Sequence, residues 1–198
     1  CPDDKCELVP FEDPAALVGQ VVDGRFEIQQ LLGVGGMGSV YRARQLSVDR
    51  QIAVKVLFRK FLEDATMVKR FILEAKAAAK LKNAHTITVY DFGKTSDGLL
   101  YIGMECLEGQ SLRDKLKKDG RLDAKNMARI LDQIADSLSE AHEQDIFHRD
   151  IKPENVFLCN TPGDPEFVKV LDFGIASAHT MSRTSNMTST GAILGTPF

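Results

Sequence analysis

The apolar residues keep a mostly strand-like period up to Cys106 and a mostly helical one after Gly109, and that shift limits the fold more than any other feature. From Phe26 to Cys106 the pattern is mostly that of strands. Phe26 and Ile28 alternate with polar residues, and 40–44, 52–58, 87–92 and 99–106 are short β-prone runs parted by glycine-rich or polar turns. Residues 62–81 interrupt them with helical spacing. After Glu108 and Gly109 the helical period takes over. Ser111 with Asp114 three residues on reads as a helix N-cap, and Asp123 opens a long amphipathic helix whose apolar face is Met127, Ile130, Leu131, Ile134 and Leu138. Two strand-like runs, 155–159 and 168–171, then flank an insert bearing Pro and Gly at 160–166. The expected class is α+β, with a β-rich part of three strands, a helix and two strands, followed by a mainly helical part.

The remaining segments carry little pattern. Residues 1–25 hold Pro2, Pro10, Pro14, Gly19 and Gly24 among acidic residues, which predicts an irregular lead-in that packs weakly. Residues 177–190 are dense in hydroxyl side chains and read as a mobile loop. With Cys1 first and Gly195, Thr196, Pro197 and Phe198 last, the sequence reads as a piece of something longer. Lys and Arg total 25 against 28 Asp and Glu, a net charge of -3, so there is no basic field to hold nucleic acid or an anionic membrane. The longest apolar runs fall far short of the roughly 20 residues of a membrane-spanning helix. The four cysteines form no CxxC pair, and the expectation is a reduced, cytoplasmic protein.

Gly33, Gly35 and Gly38 lie between two strand-like runs, where missing side chains let backbone amides approach phosphate oxygens. A dinucleotide fingerprint would need a helix directly after them, whereas Val40 begins another strand. Lys55 follows Ala53 and Val54 in an apolar strand, so its ammonium must find an anion or reach solvent. In the helix that follows, Met67, Phe71, Glu74, Ala78 and Leu81 are spaced four, three, four and three, which puts the Glu74 carboxylate on the apolar stripe. Its candidate partners are Arg70 on the same helix and Lys55 on the strand.

Residues 147–155 read Phe-His-Arg-Asp-Ile-Lys-Pro-Glu-Asn and concentrate chemistry in one loop. Asp150 can accept a hydroxyl proton, Lys152 can neutralise charge on a transferred phosphoryl group, and Asn155 supplies a neutral oxygen suited to Mg²⁺. Asp-Phe-Gly occurs twice, at 91–93 and 172–174. Only the second follows that loop by two short strands, so Asp172 can reach the metal held by Asn155, and the first reads as structural.

These pieces occur in the order and roughly the spacing of the protein-kinase signature set, and residues 26–198 resemble a bacterial serine/threonine protein kinase of the eukaryotic-like (Hanks) type. Lys152 resembles the serine/threonine rather than the tyrosine class. The resemblance implies a linker over 1–25, a complete β-rich N-lobe over 26–107 and a partial helical C-lobe over 108–198 that ends in the activation segment, with ATP between the lobes. It implies that Leu32, Val40, Ala53 and Phe157 sandwich the adenine, that Met104 is the gatekeeper, and that Glu105 and Leu107 offer backbone hydrogen bonds. Lys55, oriented by Glu74, would hold the α- and β-phosphates, Asn155 and Asp172 would hold Mg²⁺ or Mn²⁺, and Asp150 would act as base with Lys152 beside it. Arg149, Thr188, Thr190 and Thr196 would be regulatory, with phosphate on the loop threonines pairing to Arg149 and self-association allowing one copy to modify another. Protein hydroxyls are the implied substrates. Two other readings stay open: a non-catalytic ATP-binding or interaction module, and a small-molecule phosphotransferase. Two departures from the family pattern stand out, His85-Thr86-Ile87 in place of a common His-Pro-Asn-Ile-Val and an end at Phe198 where the family continues. Cys1 and Cys6 resemble the last ligands of a zinc ribbon that some such kinases carry upstream.

Overall fold

The computed structural model describes residues 13–161 and 163–173. The expectations for Cys1, Cys6, Gly174, the 177–190 loop, Thr188, Thr190 and Thr196 lie outside the described residues. Those described form two compact units, one of residues 13–75 and 88–107 and one of 76–87 and 108–173.

The first unit is built on a six-stranded antiparallel sheet. Its strands are β1 (Val21–Val22), β2 (Phe26–Val34), β3 (Gly38–Gln45), β4 (Arg50–Leu57), β5 (Val89–Lys94) and β6 (Leu100–Glu105), in the spatial order β1-β2-β3-β4-β6-β5. Alternation gives the sheet two faces with different work. On one, Phe26, Ile28, Tyr41, Ala43, Ile52, Val54, Val56 and Tyr101 form an apolar core. The other carries Val40, Ala53, Lys55 and Met104, since Val40 pairs Lys55 and Ala53 pairs Met104 in the register. Helix α1 (Ala65–Ala78) packs through Phe71 and Ala75 against Leu57, Leu100 and Ile102. Ile102 is the register partner of Lys55, so α1 lies on the lysine's face.

Residues 13–25 depart from the weak packing expected of them. Asp13 caps a short 3₁₀ turn at Pro14–Leu17 by accepting from the Ala15 N–H. Leu17 and Val22 close the apolar face of the sheet, Val22 being buried, and the Tyr41 hydroxyl donates to the Pro14 carbonyl at 2.8 Å. Pro14, Gly19 and Gly24, part of the pattern that reads as an irregular lead-in, are the punctuation of a strap, with Gly19 and Gly24 both at positive φ. Burial of Tyr41 and Phe26 beneath it is what a local reading of the segment could not supply.

In the second unit, α2 (Leu112–Asp119) and α3 (Ala124–Glu143) pack with a three-stranded sheet of β7 (Gly109–Ser111), β8 (Val156–Thr161) and β9 (Asp164–Val170). Both helix starts carry the expected caps: the Ser111 hydroxyl accepts from Asp114 N–H, and the Asp123 carboxylate accepts from Lys125 and Asn126. The apolar face of α3 is corrected in one place. Ile130 and Ile134 are buried along a row with Ser137 and Ala141, whereas Leu131 is 55% exposed because one residue is about 100° of turn away from Ile130. Residues 76–87 join this unit by hydrogen bonds. Lys82 and Asn83 donate backbone N–H groups to the Glu140 carboxylate, the Thr86 and Ser137 hydroxyls meet at 2.7 Å, and Ile87 and His85 pair with the backbone of Val170. The region of the His85-Thr86-Ile87 departure is thus a parallel bridge onto β9.

Candidate active site

In the first unit the functional side chains are held by the register of three strands and one helical stripe. Lys55 and Glu74 are each 8% exposed, and the Lys55 Nζ donates to Glu74 Oε1 at 2.6 Å. A buried carboxylate and ammonium are costly apart, so each specifies the place of the other. Glu74 lies on the inward row of α1 with Phe71 and Ala78, which is why it reaches the strand.

The glycine-rich turn separates fold requirements from ligand requirements. Gly35 N–H donates to the Gly38 carbonyl at 2.8 Å and closes the turn between β2 and β3. A Cβ on Gly38 would lie 2.0 Å from the Val56 carbonyl oxygen, so packing against β4 demands glycine there. At Gly33 and Gly36 an added Cβ meets nothing within 4 Å, and neither residue has a positive φ. The protein itself gives no reason for a missing side chain at those two positions, and a cradle that a Cβ would fill is what close backbone approach to phosphate requires. Of the residues expected around the adenine, Val40, Ala53 and Met104 share the Lys55 face, while Leu32 is 45% exposed at an irregularity between β2 and β3.

In the second unit, the loop after α3 folds on His148. That residue is 2% exposed; its Nε2 meets the Leu171 carbonyl at 2.8 Å, its Nδ1 accepts from the Asp150 N–H at 3.3 Å, and its ring lies 4.8 Å from that of buried Phe173. Burial pushes the imidazole pKa below the usual histidine value, and the Leu171 carbonyl offsets part of that. The neutral tautomer with the proton on Nε2 satisfies both contacts. Arg149 follows at a φ of 61°, a left-handed conformation that turns the chain between buried His148 and half-buried Asp150.

Around Asp150 the side chains converge. Lys152 Nζ donates to Asp150 Oδ2 at 2.7 Å, and the Asn155 amide donates to the Asp150 carbonyl at 2.9 Å and to Oδ2 at 3.1 Å. Leu171 ties the next segment in, its N–H donating to the Asn155 carbonyl at 2.8 Å, so Asp172 emerges beside this cluster with an exposed side chain and a φ of 47°. Asn155 spends its side-chain amide hydrogens on Asp150, which leaves its side-chain Oδ1 as the acceptor for a cation. One carboxylate and one amide oxygen suit Mg²⁺, which keeps waters and takes phosphate oxygens for its other positions. Among the described residues, no three His, Cys, Asp or Glu side chains gather as a denser metal site. Phe157 lies on β8 between buried Val156 and Leu158 and is half-buried on the other face. No role was assigned to His148 from sequence; the available signal was an imidazole among polar residues beside an aromatic one.

Comparison with known proteins follows the same lines. The family described as protein kinase domain matches residues 26–196. The chain is 41% identical over 186 residues to the serine/threonine-protein kinase pkn3 of Myxococcus xanthus, covering 93% of this chain and 34% of that protein. It is 36% identical over 179 residues to the serine/threonine-protein kinase PrkC of Bacillus subtilis, with 90% and 26% covered. Among solved structures, the PknI kinase domain of Mycobacterium tuberculosis superposes with a TM-score of 0.69 at 29% identity, covering 81% of this chain and 64% of that one. The chain therefore spans about a third or less of the length of these two curated relatives.

Proposed function

The chain belongs to the protein kinase domain family and has its α+β fold, and from that premise we propose that it transfers the γ-phosphoryl group of ATP to serine and threonine hydroxyls of proteins. The observation that carries the reading is the Asp150 cluster, in which an ammonium and a neutral amide of one loop both donate to the same carboxylate oxygen, at 2.7 and 3.1 Å. In this reading the acceptor hydroxyl is hydrogen-bonded to Asp150. Its oxygen forms a bond to the γ-phosphorus as the bond to the bridging oxygen of ADP breaks, and its proton passes to the Asp150 carboxylate. Lys152, already beside Asp150, neutralises charge gathered on the moving phosphoryl group.

Lys55, fixed by Glu74, pairs with the α- and β-phosphates, and the amides around Gly33 and Gly36 approach the phosphate chain. Leu32, Val40, Ala53 and Phe157 would sandwich the base, Met104 would be the gatekeeper, and the Glu105 and Leu107 backbones would offer it hydrogen bonds. Asn155 and Asp172 hold a divalent cation, Mg²⁺ or Mn²⁺, which when bound neutralises phosphate charge. Arg149 is the residue that phosphate on Thr188 or Thr190 would pair with, Thr196 is regulatory as well, and modification of one copy by another supplies that phosphate. Protein substrates, a cytoplasmic location and the linker and lobe limits at 25 and 107 belong to the same proposal. No helix among the described residues is long and apolar enough to cross a membrane.

The test uses γ-labelled ATP and a mixed protein acceptor, followed by identification of the labelled residues. The reading predicts label on serine and threonine but not tyrosine. Asp150→Asn should lower transfer by about 10²–10⁴-fold while its Kd for ATP stays within about threefold of the wild type. ATP binding with no transfer would favour a non-catalytic module, and transfer to small alcohols but not proteins would favour a small-molecule phosphotransferase.

A further inference from the structure

The tip of the glycine-rich turn is held by more than its own hydrogen bonds. Gly33, Gly35 and Gly36 are exposed, and an added Cβ at Gly33 or Gly36 meets nothing within 4 Å, so packing does little to order that stretch. Glycine loses more freedom on ordering than any other residue, and a run of it binds phosphate weakly unless something else fixes it. Met37, between Gly36 and Gly38, is half-buried, whereas nearby Val34 is 58% exposed. Its side chain packs against the apolar cluster of Leu57, Phe71, Ala75, Leu100 and Ile102. Its carbonyl accepts the Phe58 N–H at 3.0 Å, one step past the Gly38 and Leu57 pair of the β3–β4 ladder. The segment after Phe58 is anchored too, because Arg59 forms an ion pair with Asp97 and Phe61 packs on the same cluster. That cluster also seats α1, whose Glu74 lies between Phe71 and Ala75 in the chain.

We propose that Met37 is a positioning residue that fastens the glycine-rich turn to α1, so that the turn amides and the Lys55–Glu74 pair are set together for the phosphates of the nucleotide. The inference rests on the ATP reading above. A long, unbranched thioether suits the task, since it fills an irregular gap beneath a turn that must pass close over a ligand. Order supplied by Met37 before binding is order that the phosphates need not supply, and it therefore appears in the affinity for ATP. Val40, Ala53 and Met104 belong to the β3–β4–β6 ladder, which does not depend on Met37. A nucleoside without phosphates should not feel its loss.

The experiment measures Kd for Mg-ATP and adenosine, with thermal melting alongside, for the wild-type chain, Met37→Ala, Met37→Leu, Glu74→Gln and the double variant of Met37→Ala with Glu74→Gln. Met37→Ala should weaken ATP by about five- to tenfold and leave adenosine within about twofold, so the ATP-to-adenosine preference falls. Met37→Leu conserves volume and should stay within about twofold of the wild type for both ligands. In the Glu74→Gln background, Met37→Ala should cost less than about twofold more, because both changes loosen one arrangement. Three results overturn the proposal while leaving the phosphoryl-transfer reading standing: an unchanged preference in Met37→Ala whatever its melting temperature, a Met37→Leu as weak as Met37→Ala, or a full further loss in the double variant. Failure of the wild type to bind ATP at all overturns both.

Discussion

Single residues carry the separation between what the fold needs and what the chemistry needs. Gly38 is fixed by the Val56 carbonyl, whereas Gly36 has open space where its side chain would be. Gly38→Ala should therefore lower the melting temperature and Gly36→Ala should not, while Gly36→Ala weakens ATP binding in a nucleotide titration. His148 gives a second residue-level prediction. Its imidazole is held neutral by burial, with a pKa below the unfolded value of about 6.5, so the unfolded chain binds the proton more readily. The stability this group contributes is fully present above that unfolded value and falls away as the pH drops through it. Thermal melting from about pH 7.5 to pH 5.5 should show this decline, and His148→Phe, which keeps a ring against Phe173, should flatten it. Asp150, Lys152 and Asn155 were readable as a group because their chemistry and spacing are local. The role of His148 was not, because the Leu171 carbonyl that it meets is 23 residues away.

The two Asp-Phe-Gly tripeptides show what an element does to the same three residues. In the loop after β9, Asp172 is exposed and Phe173 is buried against His148. Within β5 the strand period sends Asp91 and Gly93 to one face and Phe92 to the other, where its ring lies 6.4 Å from Phe71 of α1. On the first face Asp91 forms an ion pair with Arg25 at 2.7 Å, and Tyr101 crosses Gly93 so that its hydroxyl donates to Asp23 at 2.6 Å. Burial and these carboxylates raise the Tyr101 pKa and keep it a donor. A Cβ on Gly93 would come within 2.3 Å of the Tyr101 hydroxyl oxygen. Gly93→Ala should cost about 1–3 kcal/mol in chemical denaturation, and Tyr101→Phe, which keeps ring carbons 2.5 and 2.8 Å from that Cβ, should not restore the loss. Position along the chain was enough to assign this tripeptide a structural part. Its partners were hidden because Asp23 and Arg25 belong to a segment whose own pattern is irregular.

At the scale of the whole molecule, what was legible followed periodicity and what was missed followed long-range cover. The strand runs, α1 and the capped starts of α2 and α3 come from local pattern, and each is present. The helix expected over 62–81 shortens to Ala65–Ala78, with a 3₁₀ turn at Arg59–Phe61 before it. The strap over 13–25 gains its order from the sheet it covers, and β7 exists because residues 109–111 pair with β8 46–50 residues later. The candidate site divides in the same way: Lys55 with Glu74 belongs to one unit, and Asp150, Lys152, Asn155 and Asp172 belong to the other. The central claim is that these residues serve one phosphoryl transfer. Intact-mass spectrometry of the chain after incubation with Mg-ATP, wild type beside Asp150→Asn, tests it most directly. The account predicts added phosphate on serine or threonine in the wild type and none in the variant; phosphate on neither, or equal phosphate on both, would contradict it.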